Sequence, residues 1–210
     1  MYTPAVFGES RPEVLQAFIR SHPLGALVAS GVDGLEASHL PMFFDDRGEG
    51  NCLLRCHMAR ANRQWETCAT SPSVLVIFTG PEHYITPSWY PSKDEHGKVV
   101  PTWNYAAVHV YGRVRIFEDG AELLNHVTEV TSHNEAQFAL PWRVADAPAD
   151  FVQAFTKAIV GLEISITRME GKWKVSQNRS PADQAGIIQG LKALGSAGAL
   201  EMAELVKGTN

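Results

Sequence analysis

The feature that most limits what this chain can fold into is the crowding of strand signals in its first third. The run GALVAS at 25–30 leads across Val32-Asp33-Gly34 into LEASHLPMFF at 35–44. CLLRCH at 52–57 follows after Asp46-Arg47-Gly48-Glu49-Gly50, and SVLVIFTG occupies 73–80. The first two connections are turns rich in Gly and Asp, far shorter than the dozen or so residues a parallel crossover needs, so they predict an antiparallel meander and not a βαβ series. Between the last two strands, Ala59 to Ala69 predicts a brief helix, because Trp65, Cys68 and Ala69 recur at helical spacing. A strand is thus expected to run directly into a helix near His57 to Asn62.

The longest strand candidate is Val108 to Ile116, where Val108, Val110, Val114 and Ile116 alternate with His109, Tyr111, Arg113 and Arg115. Helices are expected around this β framework. Ser10 before Arg11-Pro12-Glu13 reads as the cap of a first helix striped by Val14, Leu15, Phe18 and Ile19. Asp119-Gly120-Ala121-Glu122 resembles a capping box opening a helix to about Thr131, and Asp150 to Lys157 predicts another. Strands resume with VGLEISITRMEG and KWKVSQN. Ser180-Pro181-Ala182-Asp183 then opens a helix carrying Ile187, Ile188, Leu191 and Leu194, with Gly195 and Gly198 before a last Ala-rich helical piece. The pattern predicts a mainly β protein with peripheral helices, a closed or split antiparallel barrel in one domain over 1–210. A helical insertion is expected at about 119–157 and a C-terminal helical segment at about 181–207.

Composition narrows function by exclusion. With 210 residues, 45% of them apolar, the chain can bury a sizeable core. A formal net charge of -5 gives no general footprint for nucleic acid. Cys52, Cys56 and Cys68 are odd in number and lack CxxC spacing, which fits a reducing cytoplasm and not a disulfide or zinc scaffold. The start MYTPAVFGESRPEV lacks a charged segment followed by an apolar run, and no stretch approaches a membrane span, so an unsecreted, non-membrane protein is expected. No GxGxxG follows a strand and no GxSxG is present, leaving Rossmann and hydrolase chemistry without support. His126, His133 and Glu135 lack HExxH spacing; they read as a solvated or interface-facing cluster, and no metal is expected.

Five blocks carry a family resemblance: HLP at 39–41, HMARANRQW at 57–65, FTGPEHYITPSWY at 78–90, VPTWNYAAVHVYG at 100–112 and KVSQNRSPADQAGIIQGL at 174–191. Spread over most of the chain, they resemble the PaiB family of FMN-binding split-barrel proteins, which are related to pyridoxamine phosphate oxidases and named as negative transcriptional regulators. The resemblance implies a homodimer with FMN near the subunit interface. It also implies DNA as a partner, which the acidic charge does not support.

Residue by residue, the chemistry agrees with a flavin in several places. In the block at 57–62, a strand meeting a helix start exposes unpaired N–H groups suited to phosphate; Arg60 adds a forked charge, with His57 and Asn62 beside it. A solvated surface arginine is the plainer alternative. His39 interrupts an apolar strand that Pro41 limits to an edge or an irregular position; by itself it reads as a hydrogen-bonded histidine on the solvent face, and the resemblance sets it against the flavin ring with Leu40 as an apolar wall. Trp89, and Trp103 with Asn104 and Tyr105, flank one hydrophilic loop; indole and phenol offer stacking surface and the amide offers hydrogen bonds to a ring edge. Equally, the tryptophans can pin the loop to the barrel or a dimer contact. Gln177 and Asn178 supply amides that either read the ligand or satisfy the turn backbone. A flavin-dependent oxidoreductase, and a haem protein ligated through His39, His57 or His109, are the two other functions the residues leave open.

Overall fold

A computed structural model describes residues 1–32, 34–48 and 51–208. The expected turns at Val32-Asp33-Gly34 and at 46–50 therefore lie partly outside the described residues. The elements in chain order are β1 (Gly8–Glu9), α1 (Pro12–Ser21), β2 (Leu24–Gly31), β3 (Gly34–Pro41), β4 (Phe43–Asp46), β5 (Cys52–Ala59), α2 (Gln64–Thr70), β6 (Val74–Ile85), α3 (Ser92–His96), β7 (Thr102–Phe117), α4 (Gly120–Glu135), α5 (Ala149–Lys157), β8 (Ile159–Lys174), α6 (Pro181–Leu194) and α7 (Ala197–Lys207).

The strands form one sheet in the order β3-β2-β6-β7-β8-β5-β4, with β1 added to β8. Pairing is antiparallel for β2 with β3 and β6, for β5 with β4 and β8, and for β1 with β8. Among the described residues the hydrogen-bonded path ends at β3 and β4 and does not close, so the closed-barrel alternative is set aside. β3 is an edge strand, one of the two placements that Pro41 allows.

The chain divides into two compact units. One comprises Met1–His22, Phe78–His109 and the residues from Met169 onward; the other comprises Pro23–Ile77 and Val110–Arg168. In the first, Ile85, Tyr90, Val175, Ile187, Leu191, Met202 and Val206 form a core in which α6 and α7 take part. Trp89 packs against that core so closely that a Cβ on Gly186 would lie 1.9 Å from its carbonyl oxygen, and one on Gly190 would lie 2.3 Å from its indole. In the second, Leu27, Leu54, Cys56, Val76, Leu123, Leu162 and Ile164 are buried.

Several local expectations change. The first helix is preceded by Arg11 at the N-cap, with Pro12 at its first position and no side-chain cap, so Ser10 is not the cap. LEASHLPMFF splits at Met42, whose amide bonds the Pro23 carbonyl at 2.8 Å. The final strand signals merge into one 16-residue β8. α2 begins at Gln64, so Arg60 precedes the helix instead of lying in its first turn. Asp119 caps α4, accepting from the amides of Ala121 and Glu122 at 3.0 Å, but the Glu122 carboxylate bonds Arg115 and not the Asp119 backbone, so only half of the expected capping box forms; Ser180 caps α6 through the Asp183 amide.

Candidate functional site

The candidate residues fall into two groups, each within one unit. In the unit of 23–77 and 110–168, β3 carries exposed His39 and buried Leu40, and β5 carries half-buried His57. The turn after β5 is tied to β3: Asn62 Nδ2 donates to Ser38 Oγ at 2.9 Å, and Gln64 Nε2 donates to the Leu27 and Glu36 carbonyls at 3.0 and 3.1 Å. Each guanidinium nitrogen of Arg60 is bonded. Its amide bonds the Ala158 carbonyl, its Nε donates to the Lys157 carbonyl at 3.1 Å, one terminal nitrogen donates to the Ile159 carbonyl at 3.1 Å and the other pairs with Glu118. Arg60 and Glu118 also line a groove of about 1310 Å³ bordered by α4 and α5.

His57 Nδ1 lies 3.2 Å from Nε2 of His126, whose ring is edge-on to Phe117. His126 is buried, so the expectation of a solvated or interface-facing cluster is wrong for it; α4 turns this side chain inward beside Leu123. Burial, with His57 and Arg55 adding to it, pushes the His126 imidazole down to about 4, and burial lowers His57 as well. Both rings are held neutral at pH 7. His133 remains exposed, edge-on to Phe43. Among the described residues no group of three or more His, Cys, Asp or Glu is placed to hold a metal ion.

In the other unit, β7 alternates at its start. Trp103 is exposed and donates from Nε1 to Glu82 at 2.6 Å, with Tyr84 edge-on at 6.1 Å. Asn104 points the opposite way and is buried, its amide facing the Ser176 hydroxyl at 2.9 and 3.1 Å. Ser176 has φ 65, the left-handed region, and its carbonyl accepts from Gln184 Nε2 at 3.1 Å. Tyr105 is half-buried under the Lys172 ammonium. Gln177 bonds its own turn, accepting from the Val175 amide at 2.9 Å and donating to the Trp173 carbonyl at 2.5 Å, while Asn178 is exposed. Trp89 is packed against α6 as described above, and the pinning alternative describes its surroundings.

Sequence reasoning missed the cations beside these aromatics. Lys172 and Lys174 flank Trp173, so they share a strand face, and Lys174 Nζ donates to the Trp103 carbonyl at 2.7 Å and to the Thr102 hydroxyl. The alternation in KWK was the available signal. The donor set fits a flavin: a wide exposed indole and a phenol ring for a planar heterocycle, beside ammonium groups for its electron-rich edge or its phosphate.

The family model named "Putative FMN-binding domain" matches residues 1–168. The chain belongs to this FMN-binding family. FMN is its cofactor, and the resemblance read from the five sequence blocks holds. An uncharacterized protein of Emericella nidulans is 36% identical, the match covering 99% of this chain and 96% of that one. The protease synthase and sporulation protein PAI 2 of Bacillus subtilis is 31% identical over 99% of this chain and 97% of its own. Among solved structures, the FAD and heme binding protein of Mycobacterium smegmatis superposes with a TM-score of 0.57 at 14% identity, covering 80% of this chain and 73% of that one. At that identity the likeness concerns the fold, which is the split barrel of flavin-binding proteins.

Proposed function

We propose that the chain is a cytoplasmic, homodimeric regulatory flavoprotein of the PaiB kind, a negative regulator of gene expression that carries FMN. The observation that supports this reading most is the likeness to the sporulation protein PAI 2 across nearly the whole of both chains. Cys52, Cys56 and Cys68 are buried and in no disulfide among the described residues, which is consistent with a reducing compartment. Exposed Leu140, Trp142, Phe151 and Phe155 give apolar surface of the kind subunit contacts cover. In this reading the candidate flavin contacts are His39, Leu40, His57, Arg60, Asn62, Trp89, Trp103, Asn104, Tyr105, Gln177 and Asn178.

When bound, FMN supplies reversible electron and hydride acceptance. The chain's own residues then position the ring and set the charge around it. Because the net charge is -5, any contact with DNA falls to a local patch. The test is a gel shift with promoter fragments at about 50 and 200 mM salt, using FMN-loaded and flavin-stripped protein. Retardation that changes with loading supports regulation. No retardation in either state, together with bleaching of the flavin band by reduced nicotinamide under turnover, replaces it with the oxidoreductase reading, which the exposure of Trp103 favours. Sedimentation at micromolar concentration reports the dimer, and a stable monomer there would remove it.

A further inference from the structure

Trp103 and Tyr105 share one face at the start of β7, and Lys172 and Lys174 share one face at the end of β8. These faces meet. Lys174 Nζ donates to the Trp103 carbonyl, and Lys172 Nζ sits 5.3 Å from the Tyr105 ring centre while donating to the Tyr2 carbonyl at 3.1 Å. Arg179, just beyond β8, lies over Tyr90 at 4.9 Å. Burial first, then Lys172 and Arg179, lower the proton affinity of Lys174.

Among the described residues no carboxylate lies within ion-pair distance of Lys172, Lys174 or Arg179. Three acids of the same unit are engaged elsewhere. Glu170 pairs with the amino terminus at 2.6 Å, Glu82 accepts from the Trp103 indole, and Asp183 accepts from the Ser92 amide and hydroxyl at 3.1 and 2.8 Å. Lys172 is only 9% exposed. A buried ammonium among like charges is unfavourable unless an anion completes it. Lys174 has three N–H donors and spends two on the chain.

We propose that this face is an anion site for a phosphate monoester carried by an aromatic ligand, with Lys172, Lys174 and Arg179 binding the oxygens and the exposed Trp103 indole beside Tyr105 offering the ring surface. The inference rests on the flavin reading to the extent that FMN is one such ligand. A second phosphorylated ligand, bound beside the flavin, has the same chemistry.

Calorimetric titration of FMN, riboflavin and pyrophosphate into wild type, Lys174→Met, Arg179→Met and Lys174→Arg separates these sources. Lys174→Met also removes the bond to the Trp103 carbonyl, so Arg179→Met, which leaves that bond intact, is the independent variant. FMN affinity falls about 10- to 100-fold in both Met variants, riboflavin affinity stays within about two-fold, and Lys174→Arg keeps most of the binding. If FMN affinity holds but pyrophosphate binding to riboflavin-loaded protein falls by that factor, the site serves a second phosphorylated ligand. FMN and pyrophosphate affinities both unchanged in the two Met variants overturn the site. Wild type that binds neither flavin, yet binds pyrophosphate through Lys174, overturns the flavin reading and leaves the anion site standing.

Discussion

In the unit of 23–77 and 110–168, Arg60 meets Glu118 and two carbonyls, Arg115 joins Glu122 to Glu163, and Arg55 reaches Glu129 at 2.5 Å. In the other unit, Lys172, Lys174 and Arg179 meet carbonyls, a hydroxyl and ring faces, but no carboxylate among the described residues. An arginine with each guanidinium nitrogen bonded to its own chain is part of the frame; removing it loosens a junction. A cation left without a counter-ion is a place where a ligand's charge has something to do. The contrast separates residues that hold the candidate site from residues that bind.

The largest expected effect tests the frame around the cationic face. Gly186→Ala drives a Cβ to 1.9 Å from the Trp89 carbonyl oxygen, a backbone atom that cannot swing aside, and should cost about 3 kcal/mol or more by chemical denaturation. Gly120→Ala, at the first position of α4 with open space around it, should change stability by no more than about 1 kcal/mol, in the stabilising direction. Similar values for the two would break the picture of a tightly pinned loop.

Next comes the buried imidazole in the opposite unit. His126 titrates at about 4 in the folded chain against 6.5 unfolded, so between those values the unfolded state binds more protons and stability falls as pH falls. The full contribution is present above about pH 6.5, and about 3 kcal/mol is lost by pH 4. His126→Gln should flatten this acid limb in denaturation midpoints measured across the window. An unchanged limb would assign the acid sensitivity to other groups.

The smallest effect concerns Arg60. As an exposed pair with Glu118 plus two carbonyl bonds, it should contribute about 1 kcal/mol to stability, and Arg60→Lys should recover only part of it because the fork is lost. A selective loss of FMN over riboflavin of roughly 1.5 to 3 kcal/mol in Arg60→Ala would break the comparison, because Glu118 would then yield to the phosphate as the sequence reading expects.

Much of this was legible from periodicity and capping chemistry, which are local. The alternation through Val108 and Val110 gives β7, Asp119 and Ser180 cap the helices they precede, and Pro41 sets an edge strand. Features that depend on distant partners were not legible. Arg60 looks like a free anion binder until the Ile159 carbonyl and Glu118 are placed beside it, and His126 looks solvated until α4 is oriented. Lys172 and Lys174 were visible as an alternating pair, but that nothing of opposite charge faces them is a property of the folded neighbourhood.

The central claim, that this chain is an FMN protein, is tested most directly by its absorption spectrum as isolated and during titration with FMN while tryptophan emission is followed. The account predicts flavin bands that shift on binding, with saturable quenching that is reduced in Trp103→Ala. A spectrum unmoved by FMN with no quenching, or a Soret band in place of flavin absorption, would contradict it.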